Sequence, residues 1–145
     1  MKKRVTTMAA AAGLLAGITA VSAPTAQALP TVSGSQVRYV FCSDNQFGNE
    51  LTYYDNFGMR ELGNVTLSEN VGGSRFCETI TERIDPGSYV WSSISNDNSP
   101  YVYAAIYSVS IPLFSGSTGA PPQDSLIARD ESYDSYGGLN FAFAF

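Results

Sequence analysis

The chain has 145 residues, of which 44% are hydrophobic, 12% aromatic and only 14% charged, with 13 Gly, 7 Pro, 2 Cys and no His. Those proportions suit one small globular domain. They exclude a disordered chain, which holds too few apolar residues to fold, a collagen-like chain, which is far richer in Gly, and a scaffold built on many cysteines. The formal charge of −5 changes once the N-terminus is read.

Lys2, Lys3 and Arg4 precede an Ala/Leu/Val-rich run that ends in Ala26-Gln27-Ala28. A basic start, an apolar middle and a small-residue cleavage site describe a secretory signal peptide over residues 1–28. The apolar run falls just short of the ~20 residues a spanning helix needs, and Pro24 breaks any continuation of it. Cleavage after Ala28 leaves 117 residues with five Arg (Arg38, Arg60, Arg75, Arg83, Arg129), no Lys and all 13 acids, a formal charge of −8. Such a surface repels phosphate backbones and anionic lipids, so neither nucleic acid nor membrane is an expected partner after cleavage. The protein is expected to be secreted and extracellular. In that oxidising setting Cys42 and Cys77, the only cysteines, are expected to form one disulfide.

From residue 36 the apolar pattern is short and alternating, and turn residues break it about every eight to twelve positions. Val37, Tyr39 and Phe41 share one face of a first strand, and Leu51 and Tyr53 lie on a second. Met59 and Leu62 mark a third, with Val65 and Leu67 following before Val71-Gly72-Gly73-Ser74 turns the chain. Phe76, Ile80 and Ile84 then point one way, and Asp85-Pro86-Gly87-Ser88 is a turn in which Pro presets φ and Gly supplies a left-handed residue. Residues 89–95 and 101–111 read as a hairpin around Asn96-Asp97-Asn98-Ser99-Pro100. Residues 126–128 give a short strand, and Leu139, Phe141, Phe143 and Phe145 alternate to the end. No window after residue 28 carries a convincing helical period. The expected fold is therefore all-β: a loose N-terminus over residues 29–35, then one antiparallel β-sandwich over 36–145, with about seven short strands and one disulfide.

Catalytic options are few. Without His, without Lys after cleavage and with the cysteines bridged, the Ser-His-Asp, Cys-His, Ser-Lys, Schiff-base and His-zinc designs have no residues to use. A glycosidase needs two carboxylates about 5 to 10 Å apart across a cleft, and nothing in the sequence singles out two of the 13 acids. Asp130-Glu131-Ser132-Tyr133-Asp134 spaces oxygen side chains as calcium loops do, but Ser135 and Phe141 stand where an EF-hand has its Gly and bidentate acid, so an acidic turn is the expectation. The reading is of a non-catalytic protein with no cofactor and no metal.

The positive signal is aromatic. Tyr89 and Trp91 share one face of their strand and Tyr101, Tyr103 and Tyr107 share one face of the next, so on the expected hairpin they form one wall. The opposite faces carry Val90, Ile94, Val102, Ala104 and Ile106, which serve equally well as core, so only one face can be buried. An exposed wall would anchor an extracellular protein or stack a polysaccharide. Residues 112–122 form a second candidate, a long connection stiffened by Pro112 and Pro121-Pro122 that offers Leu113 and Phe114 as an inhibitor of a secreted hydrolase would.

The Ala-rich leader, Tyr39-Val40-Phe41-Cys42, Cys77 and Pro86-Gly87-Ser88-Tyr89-Val90-Trp91 together resemble small secreted β-rich proteins of actinobacteria. That resemblance implies an exported β-rich domain and assigns no functional residue.

Overall fold

Apolar residues at every second position bury one face of a strand and leave the other outside. The structure, a computed structural model that describes residues 31–32, 35–110, 123–134 and 140–145, contains nine strands among them, two more than expected. They are β1 Gln36–Ser43, β2 Asn49–Asp55, β3 Gly58–Val65, β4 Glu69–Gly72, β5 Arg75–Arg83, β6 Ser92–Asn96, β7 Tyr101–Ser110, β8 Gln123–Tyr133 and β9 Asn140–Ala144. Two antiparallel sheets result, one ordered β4-β5-β1-β7-β8 and the other β3-β2-β6-β9. The fold is all-β and sandwich-like. β4, a short edge piece, has no counterpart among the strands read from the sequence, and the short strand expected at residues 126–128 runs on as β8 through the acidic run. Asp130 and Glu131 stand in β8 opposite Ala104 and Tyr103, not in a turn.

The core lies between the sheets. Val37, Tyr39 and Phe41 of β1 face Leu51 and Tyr53 of β2, with Ile94, Val102, Ala104, Ile106, Ala142 and Ala144 closing around them. Three rings meet at its centre: Tyr39 and Tyr53 with centroids 5.3 Å apart, and Phe41 at 6.4 Å from each. Burying each such side chain contributes about 1.5–3 kcal/mol. The Tyr39 hydroxyl keeps a partner by donating to the Tyr54 carbonyl at 2.8 Å. Across the β1–β5 ladder Cys42 stands opposite Cys77, with Cα atoms 4.1 Å apart, and the two form a disulfide.

Residues 89–95 and 101–111 do not form a hairpin. β6 pairs with β2 and β9, while β7 pairs with β1 and β8. The turn at residues 97–98 carries the chain from one sheet to the other, and side-chain hydrogen bonds take the place of ladder bonds there. Asn96 Nδ2 donates to the Phe47 carbonyl and to Asn49 Oδ1, both at 2.9 Å, and Asn96 Oδ1 accepts from the Asn98 N–H at 2.8 Å. Ser43 Oγ donates to Ser99 Oγ at 2.8 Å on the other side of the crossing. Each of these buried asparagines and serines is satisfied, as burial demands.

The N-terminal segment is also not loose where it is described. Thr31 bridges Tyr89, Val32 is buried, and Val32 N–H and carbonyl bond Ser88 and Gly87 at 3.1 and 2.8 Å. Val32, an apolar residue in that segment, has somewhere to go, which its turn-rich neighbours concealed. The expected signal peptide at 1–28 and the 112–122 connection with Pro112, Leu113 and Phe114 lie outside the described residues.

Candidate functional site

Because β6 and β7 belong to different sheets, the expected aromatic wall divides in two. The aliphatic faces supply the core: Val90, Ile94, Val102, Ala104 and Ile106 are all buried in it. The rings therefore point away from the sandwich interior, Tyr101, Tyr103 and Tyr107 on the outside of the five-stranded sheet, and Tyr89 and Trp91 beside the four-stranded one.

On the five-stranded sheet the rings satisfy one another. Tyr101 is only 4% exposed, packs against Tyr133 with centroids 4.7 Å apart, and donates to Glu131 at 3.2 Å. The Arg75 guanidinium lies 3.7 Å over its ring and pairs with Asp44 at 3.2 Å. Burial pushes the Tyr101 phenol up to about 12, against the lowering effect of Arg75. Tyr103 is likewise raised to about 12 by burial and by a hydrogen bond with Tyr107. These groups brace the sheet and the disulfide beside them. Tyr133 at 68% and Leu126 at 49% stay exposed at the β8 edge of this face, apart from each other rather than in one run of touching rings.

The other sheet differs. Along β2 the side chains alternate, so Leu51 and Tyr53 face inward and Tyr54 faces out. Tyr54 meets Trp91 edge-on, with centroids 5.6 Å apart and planes at 63°. Trp91 touches Phe143 at 5.1 Å, and Phe143 in turn touches Phe145 at 4.9 Å and Phe141 at 6.1 Å. Five rings thus run in contact across the outside of this sheet. β6 contributes only Ser93 and Ser95 to this face, opposite Phe143 and Phe141, so nothing bulky separates the rings. Phe141 and Phe145 remain 49% and 43% exposed. A contiguous exposed apolar row of this kind marks an interaction surface more often than scattered single side chains do.

At the Tyr54 end the row opens into a groove of about 540 Å³ lined by Tyr54, Tyr89 and Trp91, by the carboxylates Asp55 and Asp85, and by Asn56. Tyr89 is 64% exposed, yet its backbone is fixed by the bridge to Thr31 and by the turn in which Ser88 N–H donates to the Asp85 carbonyl at 3.1 Å. Gly87 adopts φ +87° in that turn, a conformation a side chain would strain. Asp55 is ion-paired with Arg60 and accepts the Phe57 N–H at 2.7 Å. Desolvation alone would raise its carboxyl; Arg60 and the turn amides outweigh that and hold it below the usual carboxylate range.

Of the residues the sequence proposes for binding, the structure brings Tyr89 and Trp91 together and places Tyr101, Tyr103 and Tyr107 elsewhere. Tyr54, Phe141, Phe143 and Phe145 join the site unforeseen. Tyr54 was legible from parity, since Leu51 and Tyr53 facing inward force it out. Among the described residues no three Asp, Glu or Cys side chains gather as a metal-ligand set, and no helix is long and apolar enough to cross a membrane. No family model, curated protein or solved structure matches this chain.

Proposed function

We propose that the protein is a secreted, non-catalytic binding protein that works by contact, through the outer face of its four-stranded sheet, and that its partner is another extracellular protein. The observation that carries this reading is the run of touching rings from Tyr54 through Trp91 to Phe141, Phe143 and Phe145, left partly exposed on one face. Aromatic anchors clustered in one patch supply most of the binding energy in protein interfaces. A polysaccharide is supported less well. Flat platforms suit stacked sugar rings, and in this row only Phe141 and Phe143 lie near parallel, at 16°, whereas Tyr54, Trp91 and Phe143 meet at 63° and 50°. The three phenylalanines also lack the hydroxyl or N–H that sugar recognition uses. The leader-like N-terminus and the disulfide support secretion, and the poverty of proton-transfer residues supports contact over turnover.

The test is retention by the immobilised protein, with proteins secreted by the producing cell in one arm and insoluble polysaccharides in the other. Trp91→Ala and Phe143→Ala are expected to weaken retention of a secreted protein about tenfold or more, whereas Tyr107→Ala leaves it unchanged. Equal retention by all three variants, or retention of polysaccharide alone, overturns the reading.

A further inference from the structure

The groove at the Tyr54 end differs in chemistry from the phenylalanine row it continues. Three aromatic rings and two carboxylates line it, and the two acids are not equivalent. Asp55 is neutralised by Arg60, which also lies over Phe57 with its guanidinium 6.0 Å from the ring centroid. Asp85 has no basic partner among the described residues, where the ion pairs are Arg38–Asp124, Arg60–Asp55 and Arg75–Asp44. A carboxylate without a cation among the described residues thus shares the groove lining with Tyr54, Tyr89 and Trp91.

We propose that this groove seats a basic side chain, arginine or lysine, of the protein partner whose apolar surface covers Phe141, Phe143 and Phe145. The proposal rests on the assignment of this face as the binding surface and names the chemistry that gives it specificity. Ring faces attract a cation through their quadrupoles, most strongly tryptophan, and the attraction grows where water is displaced. Asp85 supplies the full countercharge and Asn56 a neutral polar rim. Charge on the whole molecule points the same way. Without its leader the chain carries −8 and no lysine, so its field draws in basic partners and it has few cations of its own to compete. The backbone around the groove is already fixed by the Thr31–Tyr89 bridge and the residue 85–88 turn, so little ordering opposes capture.

Trp91 is the only tryptophan in the chain and lines this groove, so its fluorescence reports on the groove and on the Phe143 contact beside it, and the Asp85→Asn variant separates the two. The folded protein is titrated with N-acetyl-arginine amide and N-acetyl-lysine amide, against their uncharged counterparts built on citrulline and norleucine, and with choline. The expected result is a saturating change with the two cationic amino-acid derivatives at concentrations about fivefold or more below those needed for the neutral ones. Asp85→Asn and Tyr54→Leu should each weaken the cationic response about fivefold, and added salt should weaken it in the wild type. Equal responses to charged and neutral derivatives, or none to either, overturn the proposal. Choline binding tighter than either amino-acid derivative also overturns it, in favour of a small quaternary ammonium ligand. The two readings fail separately. Retention of the secreted partner that is lost in Trp91→Ala but untouched by Asp85→Asn removes the cation seat and leaves the binding face standing. Retention indifferent to Trp91→Ala and Phe143→Ala removes the face itself.

Discussion

The Asp130 carboxylate, on the edge strand of one sheet, accepts the backbone N–H of Phe143 on the edge strand of the other at 2.9 Å. β9 pairs with β6 on one side only, so the amides of Phe141 and Phe143 point outward. Asn140 Oδ1 accepts the Phe141 N–H at 3.1 Å, and Asp130 takes the next. An edge strand whose donors are occupied is a poor template for another chain, and inward-set charges serve this purpose in β proteins. The molecule can therefore carry an exposed aromatic row on an edge strand without inviting ladder pairing.

Removing that acceptor has a defined consequence. Asp130→Ala is expected to cost about 1 kcal/mol, the typical net worth of one hydrogen bond, and to raise self-association by freeing the Phe143 amide. Urea denaturation and sedimentation velocity read the two effects. Asp130→Asn, which keeps an acceptor, should associate no more than wild type; if it associates as Asp130→Ala does, charge and not the hydrogen bond protects the edge.

The disulfide closes a loop of 35 residues between β1 and β5. In the chain-entropy treatment that contributes about 4 kcal/mol, a large part of the roughly 5–15 kcal/mol a domain has in total. The Cys42→Ala/Cys77→Ala double variant should show an unfolding free energy in urea lowered by that amount, with an m-value somewhat above wild type because the unfolded chain expands. A loss under about 1 kcal/mol would mean that β1–β5 pairing persists in the unfolded chain.

Alkali should destabilise the fold through its tyrosines. Tyr39, Tyr53, Tyr101 and Tyr103 are all raised above the ordinary value of 10.0, burial being the first cause in each, with Tyr101 and Tyr103 near 12. The fold thus prefers their neutral forms, while the unfolded chain ionises them near the ordinary value. Their contribution is fully present below about pH 10 and is lost as pH rises through about 12. Near-ultraviolet titration should show these phenols ionising late and together with unfolding. Tyr39→Phe should flatten the pH dependence above 10 while costing about 1 kcal/mol at neutral pH for the lost bond to the Tyr54 carbonyl.

Core and face should respond oppositely to truncation. Ile94 is fully buried between the sheets, so Ile94→Ala should cost about 2–5 kcal/mol. Tyr89 is exposed on a braced backbone, so Tyr89→Ala should leave stability within about 0.5 kcal/mol while weakening binding. Equal destabilisation by both in thermal unfolding would make the Tyr89 ring a structural element.

Much of the fold was legible in the sequence. Alternation placed Val37, Tyr39 and Phe41 on one buried face, and the Cys42–Cys77 bridge joins the strands that period two assigned them. Two things were not legible. Whether Asn96 to Pro100 closes a hairpin or crosses between sheets depends on where Asn96 Nδ2 finds acceptors, which come from Phe47 and Asn49, far off in sequence. The facing of β9 was hidden for a related reason. Its alternation of Phe with Ala permits either side to be buried, and in the fold Ala142 and Ala144 pack inward, leaving the phenylalanines outside. The site rests on that choice of face, so its largest part was the part local pattern leaves open.

The central claim is that the outer face of the four-stranded sheet is where a partner docks. Its most direct test places a photo-crosslinker on each sheet in turn, as Phe143→p-benzoylphenylalanine and Tyr107→p-benzoylphenylalanine, and irradiates the protein among the proteins secreted by the producing cell. A discrete adduct from position 143, competed away by unlabelled protein and missing from position 107, is the predicted result. An adduct from 107 alone, or none from 143, would contradict it.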